Sequence, residues 1–341
     1  MRYPAQSNVM LKTIIVGLGP IGAACARAVD ATRDMRLVGL VDVDPEKVGK
    51  PLSRIDDAST SEVIVADDIG SATREGADVA VVCTSSWFDQ VAPTIETCVS
   101  HGLCVVSSCE QMLWPGYAHA ALAQRVDDAA RRAGKAVIGS GVNPGFVMDA
   151  LAVVLSSMVC EVTAVRCVRR VDAGTRREPL QAKVGATLTV DEFRARVAQN
   201  KLGHMGSPES VALLAAGLGR DVMPGSVDVT IDPVVADVPM ASALGTIAPG
   251  HATGIHQVAC WRDDVKRLSI ELDLTMAVGT SDPCDRVELQ GPTPLTLELP
   301  GGVPGDTATV AAMVNLARVV HDAQAGLRTM LDVRPAGARH W

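Results

Sequence analysis

The sequence predicts an α/β fold, a doubly wound parallel sheet followed by a second α+β domain, and three observations carry that expectation. In the first half, apolar β-branched runs of four to six residues alternate with helical stretches, the pattern of strands buried on both faces. A glycine-rich turn, "GLGPIG", stands directly between the first such run and the first helix, which makes the sheet Rossmann-type. After "SGVNPGF" the pattern changes to a long apolar helix candidate and a series of strands, read as an antiparallel or mixed sheet.

In chain order, "KTIIV" (12–16) is the first strand and "IGAACARAVDA" the first helix. "LVGLVD" (37–42), "SEVIV" and "DVAVVC" (78–83) supply the next three strands. Helix "FDQVAPTIETCVSHG", strand "LCVVSS", an amphipathic helix near "AHAALAQRVDDAARRAG" and strand "AVIGSG" complete a first domain, expected over 1–145. The second domain, expected over 146–304, opens with helix "FVMDALAVVLSSMV" and continues with strands "CEVTAVRCVRRVDA", "GSVDVTIDPVVADV", "TGIHQVACWRDD" and "VKRLSIELDLTMAVG". Thr189 and Glu192 form a capping-box signature at "VDEFRARVAQN". A last amphipathic helix within 305–341 is expected to return to the first domain.

Composition narrows the function classes. A formal charge of -8, with no Lys/Arg run, argues against nucleic acid as a partner. Nine Cys lie in apolar segments without metal-ligand spacing, so they are read as core residues of a cytoplasmic protein in a reducing compartment. No run of 18 or more apolar residues predicts a membrane span. His251 and His256 lack the carboxylate or Cys that would complete a ligand set, so no metal site is expected.

"GLGPIG" places Gly17, Gly19 and Gly22 in GxGxxG spacing, with Pro20 and Ile21 opening the helix. Such a turn lets backbone approach a pyrophosphate, whose charge is favoured at a helix N-terminus. Asp42 ends the second strand twenty residues beyond Gly22, where an acid binds a ribose 2′-hydroxyl. The cofactor is therefore expected to be NAD, while Lys47 and Lys50 close downstream leave NADP open. Thr84 and Ser85, past the fourth strand, are placed beside the same cofactor.

Aromatic residues are scarce, at four Trp, two Tyr and three Phe, so their positions carry information. Trp87 and Phe88 follow the fourth strand, Trp114 and Tyr117 the fifth, and Phe146 the sixth. Ligands of such sheets bind beyond the carboxyl ends of the strands, so a substrate pocket with apolar walls is expected there. "CEQ" brings Glu110 into the same region with no Lys beside it. A carboxylate stabilises an iminium cation better than the alkoxide of an alcohol oxidation, and it can move protons as a general base.

The combination of "GLGPIG", "VVSSCEQMLWP", "GSGVNPGFVMDA", "GHMGSPES" and "GDTATVAAMVN" resembles the 2,4-diaminopentanoate dehydrogenases and the related native amine dehydrogenases, from Gly17 to about Met330. A more distant likeness is to dihydrodipicolinate reductases. The resemblance implies NAD(P)-dependent oxidative deamination of a primary amine, or reductive amination of a ketone or aldehyde with ammonia. It places the catalytic carboxylate on Glu110, and implies a homodimer whose second domain supplies the subunit contact and part of the pocket. Asn143 and Phe146 would line that pocket, and His204 in "GHMGSPES" would face it. Gln111 and Trp114 stand where the family pattern has Glu and Tyr, which points to a more apolar substrate than a diamino acid. Two rivals remain. An amino-acid substrate, as in diaminopentanoate deamination, would need a cation for its carboxylate, with Arg176, Arg177 and Lys183 as candidates. A sensor that binds NAD(P) without catalysis would need neither the aromatic pocket nor Glu110.

Overall fold

The structure is a computed structural model and describes residues 10–338 apart from 264 and 266. The end of the expected C-terminal helix (339–341), and positions 264 and 266 inside expected strands, lie outside the described residues. The chain divides into two compact units, Met1–Asn143 with Gly305–Trp341, and Pro144–Pro304.

The first unit begins β1 (Leu11–Val16), α1 (Pro20–Asp30), β2 (Met35–Val41), β3 (Val65–Ala66), α2 (Ile69–Ala72), β4 (Val79–Val82), α3 (Phe88–Ser100), β5 (Cys104–Ser107), α4 (Ala120–Ala133) and β6 (Ala136–Gly139). Period-two alternation divides each strand between two cores. Leu11, Ile15, Val79, Val81 and Val106 join one cluster, while Ile14, Val16, Ala80, Val82 and Val105 join the other. Burying each Val or Ile side chain contributes roughly 1.5–3 kcal/mol, so both faces of the sheet must be covered. Helix α1 supplies Cys25, Ala26 and Val29 to the first cluster, and α3 supplies Phe88, Val91, Ala92 and Ile95 to the second. The expected strand at "SEVIV" shrinks to β3, of which Val65 and Ala66 pair with β2, while Ile64 bridges Pro51 instead.

The second unit contains α5 (Ala150–Ser156), β7 (Ala164–Asp172), α6 (Glu178–Lys183), α7 (Val190–Ala198), α8 (Ser207–Gly217), β8 (Asp228–Val235), β9 (Met240–Ser242), β10 (Gly245–Ile247), β11 (Ala252–Asp263), β12 (Leu268–Ala277), β13 (Cys284–Gln290) and β14 (Leu295–Pro300). Its six-stranded sheet runs β14-β13-β7-β12-β11-β8. The β7–β12 pair is parallel and the other pairs are antiparallel, so the sheet is mixed. Ile255, Ala259, Trp261, Ile270 and Leu272 are buried, whereas the alternate positions His256, Val258, Glu271 and Asp273 are half-exposed. The capping box at α7 is formed, with Thr189 accepting from the Glu192 N–H and Glu192 accepting from the Thr189 N–H. Helix α5 is shorter than the apolar run predicts. Asp149 turns its carboxylate back onto the N–H groups of Gly145 and Ala150, which leaves Phe146–Met148 in a turn and starts the helix at Ala150.

The chain then returns to the first unit as α9 (Gly305–His321), which packs on α1, β4, β5 and β6. It does not continue as helix. A three-residue strand, β15 (Gly326–Arg328), follows and pairs parallel with β6, anchored where the Leu327 N–H donates to Asp127 at 2.8 Å. The parallel sheet therefore has seven strands in the order β15-β6-β5-β4-β1-β2-β3, with its switch point between β1 and β4.

Candidate active site

At the switch point, Gly17 has φ +87°, a conformation strained for any side chain, and a Cβ there would lie 2.7 Å from the Cys83 carbonyl oxygen. A Cβ at Gly22 would fall 1.8 Å from the Gly17 carbonyl oxygen, so the loop closes on α1 only with glycine. Gly19, the N-cap, differs, because nothing lies within 4 Å of where its Cβ would stand. No side chain caps α1, its first turn holds no acidic residue, and Pro20 occupies N1. Ile21 is half-buried behind it. An open cradle at an uncapped helix N-terminus fits a dinucleotide pyrophosphate.

Asp42 lies just past β2, with its carboxylate largely enclosed. Oδ2 accepts from the Leu18 N–H at 2.7 Å and from Lys47 Nζ at 3.0 Å, and Oδ1 accepts from the Asp44 N–H at 2.9 Å. Burial pushes its carboxyl up, but the hydrogen bonds from Asp44 and Leu18 and the Lys47 ammonium outweigh this and hold it below the usual carboxylate value. It is an ionised acceptor where a ribose would sit. Lys50 turns away to Glu46, at 3.8 Å.

Beyond β4, Thr84 is exposed and Ser85 is half-buried. Ser85 Oγ donates to Gln90 Oε1 at 2.7 Å and accepts from the Trp87 N–H at 3.1 Å, so Ser85 shapes the start of α3. Trp87 is 38% exposed, but Phe88 is fully buried in the core, edge-on to His119. Phe88 is therefore removed from the expected pocket walls, because α3 begins there and turns its ring under the sheet.

Glu110 opens a 3-10 turn (Glu110–Leu113) three residues past β5, at the sheet edge shared with the Gly17 loop. That turn lies close over β6, where a Cβ on Gly139 would meet Met112 at 2.4 Å. Glu110 is half-buried and makes no hydrogen bond or ion pair among the described residues. Gln111 behaves differently. Its side chain is buried and its Oε1 accepts from the Phe88 N–H at 2.9 Å, supplying the cap that Trp87 does not. The Gln111 side chain thus serves α3, and the case for an apolar substrate rests on half-buried Trp114 alone. Asn143, the last residue of this stretch of the first unit, is half-buried.

In the second unit, Phe146 is 45% exposed. His204 is half-buried, and its main chain is clamped by buried Gln257, which accepts from the His204 N–H and donates to its carbonyl, both at 2.8 Å. Burial, together with the positive charges of Lys183 and Arg169, pushes the imidazole down to about 4. Arg169 is itself buried against Asp285, with contacts of 2.5 and 2.6 Å, whereas Lys183 is exposed and has no ion pair among the described residues. Asp149 is wholly buried, and Oδ2 accepts from the Gly145 N–H at 2.9 Å and from Ser210 Oγ at 2.8 Å. Burial pushes its carboxyl up against those hydrogen bonds. Sequence reading missed Asp149 and Gln257, although both stand in or beside quoted motifs, because a buried polar clamp has no local signature.

Four similarities bear on identity. A family profile described as the 2,4-diaminopentanoate dehydrogenase C-terminal domain matches residues 146–338. The chain is 30% identical, over 95% of its length and 93% of the relative's, to 2,4-diaminopentanoate dehydrogenase of Acetoanaerobium sticklandii. It is 28% identical to an amine dehydrogenase of Streptomyces virginiae over 50% of this chain and 48% of that one. Among solved structures, an amine dehydrogenase from Mycobacterium smegmatis shares the fold with a TM-score of 0.84 and 22% identity, over 96% of this chain and 97% of that one. With the Rossmann-type sheet and its glycine loop, these make the protein an NAD(P)-dependent oxidoreductase. Within that class, the chain belongs to the 2,4-diaminopentanoate dehydrogenase family.

Proposed function

We propose that the protein interconverts a primary amine with a ketone or aldehyde and ammonia, with Glu110 as the catalytic carboxylate. The observation that carries this reading is the half-buried carboxylate of Glu110, without a partner among the described residues, on the strand-end edge that also carries the Gly17 loop and with no Lys or His in its turn. A bound nicotinamide would exchange hydride with the carbon that bears nitrogen. Glu110 takes a proton from the incoming ammonium and returns it to the hydroxyl that leaves as water, so that its regained negative charge steadies the resulting iminium. Asp42 holds the adenosine ribose, Gly17–Gly22 the pyrophosphate, and Thr84 and Ser85 line the cofactor. Trp87 and Trp114 supply apolar contacts to the substrate. Asn143, and Phe146 and His204 of the second unit, are its remaining proposed contacts. The protein is further read as a cytoplasmic homodimer. Nine free cysteines support a reducing compartment, and among the described residues no helix is long and apolar enough to cross a membrane.

Substitution of Glu110 by Gln or Ala is expected to lower turnover by about 10²–10⁴-fold or more while leaving the Kd for NADH within about twofold. Retention of most activity by the Ala variant would remove Glu110 from the reaction.

Lys183 favours a second reading, in which the substrate is an amino acid. Among the described residues its ammonium has no ion pair, and its charge depresses His204, so it is available to a carboxylate. Initial rates on a simple ketone and on its carboxylated analogue, each with ammonia and NADH, separate the two readings. A large preference for the acid that is lost in Lys183→Ala selects the second.

A further inference from the structure

The cluster past β2 is built around one cation. Lys47 Nζ stands 3.0 Å from Asp42 Oδ2 and 3.6 Å from Asp44 Oδ2, with its side chain 25% exposed. Asp42 already receives two backbone N–H groups, so its position does not depend on Lys47. Beside it Val43 is 88% exposed, an apolar surface standing in solvent next to the acid that meets the ribose. The two cofactors differ at this point alone. NAD presents a 2′-hydroxyl, which donates to a carboxylate, whereas NADP presents a 2′-phosphate, which a carboxylate repels and a cation attracts.

We propose that Lys47 is the specificity-determining residue that admits NADP beside NAD: it offsets the charge of Asp42 and turns its ammonium onto a 2′-phosphate when one is present. The proposal rests on the reading of Gly17–Gly22 and Asp42 as the dinucleotide site. Lys50 does not share the role, since it pairs with Glu46 on the exposed side of the turn. With Asp42, Asp44 and Glu46 against two lysines, the cluster keeps a net negative charge, so NADH binds more tightly than NADPH. Loss of Lys47 should widen that gap. Lys47 is near the surface and Asp42 retains its backbone donors, so the variant should fold.

The test is the Kd of NADH and of NADPH, read by nicotinamide fluorescence without substrate, for the wild type, Lys47→Ala and Lys50→Ala. Lys47→Ala is expected to weaken NADPH by about tenfold or more while NADH changes by less than about threefold, since a phosphate loses a charge-assisted contact and a hydroxyl does not. Lys50→Ala is expected to change neither ratio. Raising salt from 50 to 500 mM should shrink the Lys47 effect on NADPH. Equal weakening of both cofactors, no change in either, or a wild type that binds NADH but not NADPH would each overturn the assignment to Lys47. A wild type that binds neither would overturn the dinucleotide site itself, and the proposal with it.

Discussion

At the scale of single residues, neighbours with similar side chains take different jobs. Glu110 and Gln111 are adjacent, yet one carboxylate is left free and the other side chain caps α3. Gln111→Glu would set a carboxylate against the same N–H, a sound cap, but would bury a second negative charge one residue from Glu110. His204 offers a test that is independent of catalysis. An imidazole of ordinary value 6.5 is pushed down to about 4, so between those values the unfolded chain binds a proton that the folded chain does not. Stability therefore rises with pH across that window, and is lost as pH falls from about 6.5 towards 4. Urea unfolding at several pH values between 4 and 7 should show a shallower slope for His204→Gln than for the wild type. Equal slopes would mean that the ring titrates freely. Glu110 was legible in the sequence because a strand end followed by a turn is local. The job of Gln111 was not, since its partner lies 23 residues away.

At the scale of elements, Asp149 shows how one buried carboxylate sets two. It caps α5, holds the Gly145 N–H, and accepts from Ser210 in α8. The apolar run Phe146–Val159 reads as one long helix, but Asp149, bonded to the Gly145 and Ala150 N–H groups, caps a helix that starts only at Ala150. Asp149→Ala would leave those N–H groups and the Ser210 hydroxyl without their acceptor, at a cost of about 1–3 kcal/mol per buried group. A fall in Tm is expected, together with a raised KM for the amine and an unchanged Kd for NADH. If KM stays at the wild-type value in folded protein, the clamp has no part in substrate binding. The same scale explains β15. Three residues are too few to show alternation, and the strand exists because Asp127 and the Lys135 carbonyl offer partners to the Leu327 and Gly326 N–H groups.

At the scale of the molecule, the second unit's sheet offers a surface for the proposed homodimer. One set of alternate side chains is buried, while the other carries an ion-pair network. Arg166 reaches Glu271 at 2.7 Å and Asp273 at 2.6 Å, and Arg286 reaches Glu288 at 2.8 Å. His256 meets Asp273 at 2.9 Å. A second copy laid on this face would meet both arginines and carboxylates, as a self-complementary interface requires. Sedimentation equilibrium is expected to give a dimer for the wild type and a substantial monomer fraction for Arg166→Glu, which reverses one charge at the centre. A wild type that sediments as a monomer at micromolar concentration would end the dimer reading.

The sequence alone determined the fold class, the glycine loop with Asp42, and the carboxylate after the fifth strand. Each is written in short-range patterns: alternation within a strand, glycine where the turn demands it, an acid at a strand end. The tertiary structure decided what those residues touch. It put Phe88 in the core, gave Gln111 to α3, set Lys47 on Asp42, and joined Gly145 to Ser210 through Asp149. The physical reason is one of range. Backbone preference acts over a few residues, but a buried hydrogen bond or ion pair is fixed only when packing brings distant segments together and removes water from between them.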